Sequence, residues 1–116
     1  MKSKEVEDVK IGSQDSSSLI SIFEDCLGCK WTISILVSIS DGFNRPGILL
    51  KKNQGLSTKV LNECLRRLVE YKILQKFTYP ETPPRVEYFL TSFGQEITDI
   101  LIRIRQLQNE FQNISQ

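Results

Sequence analysis

The sequence predicts a mainly α-helical chain with a small β element, an α+β fold. Three observations lead there. Apolar residues recur at helical spacing in four stretches before residue 72. The period then shifts to alternation between Ile73 and Thr91, on either side of Pro80-Glu81-Thr82-Pro83-Pro84-Arg85. After Ser92, the apolar residues Phe93, Ile97, Ile100, Ile104, Leu107, Phe111 and Ile114 are spaced 4, 3, 4, 3, 4, 3, the alternation that suits packing on a partner helix.

Each element has its own signals. Residues 1–17 are polar and read as a flexible N-terminal tail, so the domain is expected over 18–116. Leu19, Ile20, Ile22, Phe23, Cys26 and Leu27 give a helix from about 18 to 28, which Gly28 can end or bend. Trp31, Ile33, Ile35, Leu36, Val37 and Ile39 form a second helix, apolar on most sides and therefore central. Asp41-Gly42 stops it, and Phe43-Asn44-Arg45 leaves room for no more than a small strand. Pro46 suits the first turn of a short helix carrying Ile48, Leu49 and Leu50, with Gly55 at a left-handed turn after it.

Ser57 then caps a longer helix through Tyr71, with Leu61, Cys64, Leu65 and Leu68 on its apolar side and Thr58, Lys59, Asn62 and Arg66 on another. Short helix, Gly turn, longer helix is a helix-turn-helix pattern. The proline-tipped hairpin that follows is a wing. The whole is a winged helix-turn-helix with a long C-terminal dimerisation helix over 92–114. A homodimer is the simplest way to bury the seam of Phe93, Ile97, Ile100, Ile104, Leu107 and Phe111, whose start also has its own domain or the partner's first helix to pack against.

Charge is unevenly placed along a chain of net +1. Residues 1–44 carry four Lys/Arg against seven Asp/Glu, residues 45–86 nine against three, and residues 87–116 two against four. A basic block confined to the helix-turn-helix and wing is the pattern of a phosphate-backbone binder. No apolar run approaches the roughly 18 residues that span a bilayer, and the N-terminus lacks a signal-peptide core. Three cysteines without a secretion signal point to the reducing cytoplasm and to free thiols.

Several of these residues also carry a family resemblance. The run Gly28-Cys29-Lys30-Trp31, the Arg45 segment, the helix Leu56–Tyr71 and Tyr79-Pro80-Glu81-Thr82-Pro83-Pro84-Arg85-Val86-Glu87-Tyr88-Phe89-Leu90-Thr91-Ser92-Phe93-Gly94 resemble the HxlR family of bacterial winged helix-turn-helix transcriptional regulators. The resemblance covers about residues 19–108 and implies a dimeric DNA-binding regulator related in architecture to MarR-type proteins. Three departures stand out. Cys29 replaces a usual Gly. Arg45-Pro46-Gly47-Ile48-Leu49 replaces Arg-Phe-x-Glu-Leu, which leaves the length of the first helix of the motif open. Ser18 stands about where redox-sensing members carry a Cys.

The expected DNA contacts divide by role. Ser57, Thr58, Lys59 and Asn62 are placed to reach base edges, and Arg66 to reach phosphate. Arg45, Lys51 and Lys52 are expected on backbone. Lys76, Thr78, Thr82 and Arg85 are wing candidates, with Arg85 alternatively pairing with Glu87 or Glu81 to hold the hairpin. Arg67 is either solvated or paired with Glu63 or Glu70. The partners expected are double-stranded DNA and a second copy of the chain, with no membrane and no cofactor.

Enzymatic chemistry is not expected. The chain has no His, the commonest general base, and no Gly-rich phosphate loop. Cys26-Leu27-Gly28-Cys29 has the spacing of a zinc half-site, but four N/S ligands are not available within one chain. Cys26 and Cys29 are instead candidates for a thiol switch, beside the simpler reading of Cys26 and Cys64 as small core residues and Cys29 as a Gly substitute. The alternative to a DNA-binding regulator is a winged-helix protein–protein interaction module without specific DNA binding.

Overall fold

The computed structural model describes residues 18–115, and the tail expected at 1–17 lies outside them. Helix α1 (Leu19–Gly28) starts where the Ser18 hydroxyl accepts from the Ser21 amide at 3.2 Å. Helix α2 (Thr32–Ser40) buries Thr32, Ile35, Leu36 and Ile39. It is the hub of the packing, touching α1, the next helix, the hairpin and the C-terminal helix. Its near-uniform apolarity requires that position, because no side of it can face water at low cost. Gly42, at φ +97°, turns the chain out of it.

Helix α3 (Pro46–Lys52) begins with Pro46 in its first turn and buries Leu49 completely. The Asn53 side-chain amide donates to the Leu49 carbonyl at 2.8 Å and closes its end. Gly55 sits at φ +96°, and a Cβ there would lie 3.6 Å from the Trp31 indole. Helix α4 (Thr58–Glu70) follows at once. Ser57 caps it by accepting from the Val60 amide at 3.1 Å, and Leu61, Cys64, Leu65 and Leu68 are buried.

The exit from α4 is a tight two-bond cap. Lys72 takes the left-handed conformation at φ +66°. Its amide donates to Val69 and the Ile73 amide to Leu68, each at 3.0 Å. This is the helix C-cap that usually employs Gly. Here a Lys fills it, so the sequence carries no Gly to mark the end.

Strands β1 (Leu74–Tyr79) and β2 (Arg85–Leu90) pair antiparallel, with Leu74 opposite Leu90 and Tyr79 opposite Arg85. Leu74 and Tyr88 are buried at the base. Phe77 and Phe89 meet edge to face on the exposed side, their centroids 5.4 Å apart. The Phe43–Arg45 stretch forms no strand. It adds one backbone bond to the sheet edge, from the Tyr88 amide to the Asn44 carbonyl at 2.9 Å.

Helix α5 (Ser92–Ser115) is 24 residues, roughly 36 Å long. The Thr91 hydroxyl accepts from the Gly94 amide at 2.8 Å and donates to the Lys72 carbonyl at 2.6 Å. The Thr91 amide donates to the Ile73 carbonyl at 3.0 Å. Gly94 is required here, since a Cβ on it would stand 2.0 Å from that same carbonyl oxygen.

The helix divides along its length. Ile97, Thr98 and Leu101 are buried against the chain's own core, chiefly on α2 and β2. Leu107 is 47% exposed, Phe111 63% and Ile114 82%. Ile97 therefore leaves the expected dimer seam. Its position is the one where the helix first crosses α2, and the chain's own core takes it up.

Two substitutions at this junction act in opposite directions. Gly94→Ala costs about 3 kcal/mol, the upper end for overpacking, because the added methyl meets backbone rather than a movable side chain. Lys72→Gly stabilises by about 0.5–1 kcal/mol, the relief of the left-handed strain less the added chain entropy of Gly. Urea unfolding monitored by circular dichroism reads both.

Candidate nucleic-acid interface

The outer face of α4 follows from the burial of the inner one. With Leu61, Cys64, Leu65 and Leu68 inward, the spacing turns Thr58, Lys59, Asn62 and Arg66 outward, and all four are exposed. No acidic residue occupies the first turn. The Ser57 hydroxyl takes up only the Val60 amide, so the first two amides of the helix have no intrahelical partner. The positive end of the helix is thus uncompensated, a setting that favours an anion such as phosphate.

Around this face the expected cations fall into two groups. Lys51, Lys59 and Lys76 are exposed and, among the described residues, lie within ion-pair distance of no carboxylate. Thr78 and Thr82 are exposed on the wing. The other cations have structural engagements. The Lys52 ammonium lies 4.1 Å from the Phe43 ring centroid. Arg66 pairs with Glu70 at 3.0 Å, both well exposed, a contact of a few tenths of a kcal/mol that a phosphate can displace.

Arg45 and Arg85 converge on Glu87, each at 3.2 Å, and Glu87 is only 13% exposed. Arg85 also pairs with Glu81 at 3.0 Å and stacks 3.9 Å above the Tyr79 ring. Of the two roles open to Arg85, these contacts supply the hairpin-holding one. Arg45, expected on DNA backbone, here ties the start of α3 to β2.

Arg67 pairs with neither Glu63 nor Glu70. Its guanidinium reaches Asp25 on α1 at 3.4 Å, and the Tyr71 hydroxyl donates to the same carboxylate. The hydrogen bond to Asp25, then burial, pushes the Tyr71 phenol up to about 12. This α1–α4 brace was missed in the sequence, where Asp25 and Arg67 lie far apart. The only signal was the i, i+4 spacing of Arg67 and Tyr71 on one side of α4.

The cysteines also sort differently from the Cys26–Cys29 expectation. All three are free thiols. Cys26 and Cys64 are core residues, and burial pushes each up to about 11. Cys29 is partly exposed, and its sulfur lies 3.5 Å from that of Cys64. Burial raises the Cys29 thiol, but hydrogen bonds from the Thr32 hydroxyl, the Trp31 and Thr32 backbone and Cys64 outweigh it and bring the thiol below its ordinary value. Among the described residues no cluster of three or more His, Cys, Asp or Glu side chains is placed to hold a metal ion, and no helix is long and apolar enough to cross a membrane.

Comparison with known proteins gives the family and the fold. The model of the HxlR-like helix-turn-helix family matches residues 26–116. The uncharacterised HTH-type transcriptional regulator sll1512 of Synechocystis is 42% identical over 87 residues, which cover 75% of this chain and 64% of that protein. The transcriptional regulator ytfH of Salmonella typhimurium superposes with a TM-score of 0.72 at 29% identity, covering 84% of this chain and 88% of that one. A MarR-family transcriptional regulator from Enterococcus faecalis V583 superposes with a TM-score of 0.70 at 26% identity, covering 89% and 94%.

The thiol ordering is open to direct measurement. In the folded protein, alkylation by iodoacetamide modifies Cys29 first, with a rate that levels off below the ordinary thiol pKa. Cys26 and Cys64, buried and with raised thiols, react far more slowly than Cys29 across the series. Peptide mass spectrometry across a pH series reads the three positions separately, and equal profiles would contradict the assignment.

Proposed function

This chain belongs to the HxlR-like helix-turn-helix family, and from that premise we propose that it is a sequence-specific DNA-binding transcriptional regulator acting as a homodimer on an inverted-repeat operator. In each subunit α4 enters the major groove of one half-site and the hairpin rests on adjacent backbone. The observation that carries this reading is the two-sidedness of α4: four buried apolar positions fix its angle, and the opposite face offers short polar and cationic side chains at an uncompensated helix start. Thr58, Lys59 and Asn62 read bases, with Ser57 at the edge. Arg66 and Lys51 hold phosphate, and Lys76, Thr78 and Thr82 act from the wing.

The homodimer reading is supported by apolar surface that the chain's own core does not use. On α5, Phe93, Ile100, Leu107 and Ile114 recur every seven residues and are all exposed. Leu19, Ile20 and Leu27 of α1 are exposed as well. Monomeric proteins rarely leave so much contiguous apolar helix in water. Two-fold symmetry then sets half-sites one helical turn apart, or a multiple of it.

The alternative, a protein–protein interaction module, has one observation in its favour: Arg45, Arg66, Arg67 and Arg85 all have carboxylate partners, which reduces the free positive charge of the basic block. Salt dependence separates the two. A gel shift on the upstream region of its own operon weakens along a straight line in log salt, by about 0.9 per phosphate neutralised. Asn62→Ala costs about 1–3 kcal/mol and relaxes preference at one position per half-site, whereas Lys51→Ala weakens all sequences alike. Salt-independent binding, or unchanged preference in Asn62→Ala and Lys59→Ala, would overturn the placement of α4.

The dimer has its own test. Leu107→Glu puts a charge in the middle of the seam without touching the buried core. Sedimentation of the wild-type protein gives a dimer, and that of the variant shifts toward monomer with helicity of the core retained.

A further inference from the structure

The sulfurs of Cys29 and Cys64 lie 3.5 Å apart. Cys29 is on the loop between α1 and α2, and Cys64 is on the core face of α4. We propose that this pair is a reversible oxidation site, at which a hydroperoxide produces a disulfide within one subunit and so ties α4 covalently to the α1–α2 loop. The partner of Cys29 is Cys64 and not Cys26. The two are 35 residues apart in the chain yet in direct contact, while Cys26 is turned into the core on α1.

The surroundings divide the labour between the two thiols. Cys29 is partly exposed, so an oxidant reaches it first. Hydrogen bonds from Thr32 and Trp31 hold it toward the thiolate, the nucleophilic form. Cys64 is 1% exposed and shielded from the solvent oxidant. The Arg67 guanidinium stands 4.0 Å from its sulfur, where it stabilises negative charge as Cys64 is called on to attack.

The steps balance. The Cys29 thiolate attacks the outer peroxide oxygen, the O–O bond breaks, a sulfenic acid forms, and the departing alkoxide takes up from water the proton that Cys29 gave up on ionising and leaves as the alcohol. The Cys64 sulfur then attacks the Cys29 sulfur, the S–S bond forms, the S–O bond breaks, and hydroxide leaves with the thiol proton as water. Two thiols and one hydroperoxide yield one disulfide, one alcohol and one water, the sulfurs losing the two electrons that the peroxide gains.

Closing the bond brings the sulfurs from 3.5 Å to about 2.05 Å. The middle of α4 is drawn toward the α1–α2 loop, while its C-terminal end stays joined to the hairpin and to α5 through Ile73 and Thr91. The helix tilts about that joint, so its N-terminal half changes its setting relative to the wing. This consequence rests on the DNA-binding reading above, and it lowers operator affinity by about 5- to 150-fold, the usual range of coupling between two sites.

The experiment is peptide mapping of the reduced full-length protein after treatment with stoichiometric cumene hydroperoxide, free thiols being blocked before digestion. The expected product is a Cys29–Cys64 linked peptide in wild type and in Cys26→Ser, absent in Cys29→Ser, reversed by dithiothreitol, with no covalent dimer on a non-reducing gel. A link through Cys26, a link between subunits, or Cys29 over-oxidised without any link overturns the pair. Mapping requires no DNA, so its outcome stands apart from that of the DNA-binding reading. Where the operator is bound, oxidation weakens binding by wild type and not by Cys29→Ser, and equal affinity of reduced and disulfide-linked protein overturns the coupling.

Discussion

Ile73 holds the domain together through its backbone as much as through its side chain. Its amide closes the C-terminus of α4 on the Leu68 carbonyl, and its carbonyl receives the Thr91 amide at the start of α5. The side chain is fully buried between them. One residue therefore fixes the end of α4, the base of the hairpin and the start of α5. Buried backbone groups are costly to leave unpaired, so these three ends stay joined at Ile73, and α4 can change only its tilt about that point. The absence of a side chain at Gly94 and the left-handed turn at Lys72 are both conditions for this closeness.

A second anchor acts at the far side of α3. Glu87, mostly buried on β2, receives both Arg45 and Arg85. Two guanidinium groups on one shielded carboxylate hold the entry to the helix-turn-helix against the hairpin, and Arg85 reaches on to Glu81 and Tyr79 near the hairpin tip. Arg45 and Arg85 thus serve shape, whereas Lys51, Lys59 and Lys76 have no carboxylate within ion-pair distance among the described residues. That division is physically reasonable. A planar, multi-donor guanidinium suits a fixed ion pair, whereas a flexible ammonium suits a mobile contact with phosphate.

What could be read from the sequence was local. Ser57 as a cap, Pro46 in a first turn, Gly55 in a left-handed turn and the inward stripe of α4 each depend on residues within one turn of each other. The illegible features join distant residues or break a local preference. Lys72 adopts a conformation usually left to Gly, and nothing nearby marks it. Asp25 with Arg67, and Cys29 with Cys64, meet only because α1 packs beside α4. The α5 seam was legible as a period but not as a division of roles. Ile97 and Ile104 look alike in sequence, since a chain's own core and a partner helix ask for the same kind of residue. Of the candidate interface, the outer face of α4 was legible from helical periodicity. The engagement of Arg85 was legible as one of two roles, because Glu81 and Glu87 lie close to it in the chain; that of Arg45 was not, because its partner Glu87 lies 42 residues away.

Trp31 gives the molecule a built-in optical reporter. It is the one tryptophan in the chain, and its indole packs over Gly55, two residues before the cap of α4. Lys30 lies 5.2 Å from its ring centroid and Cys29 stands two residues before it in the chain. Indole emission depends on nearby charge, solvent and sulfur, so events at the turn and at the thiol pair both register in the same fluorescence signal. The motion of the helix-turn-helix is thereby observable in the unlabelled protein, at the joint on which the angle of α4 depends.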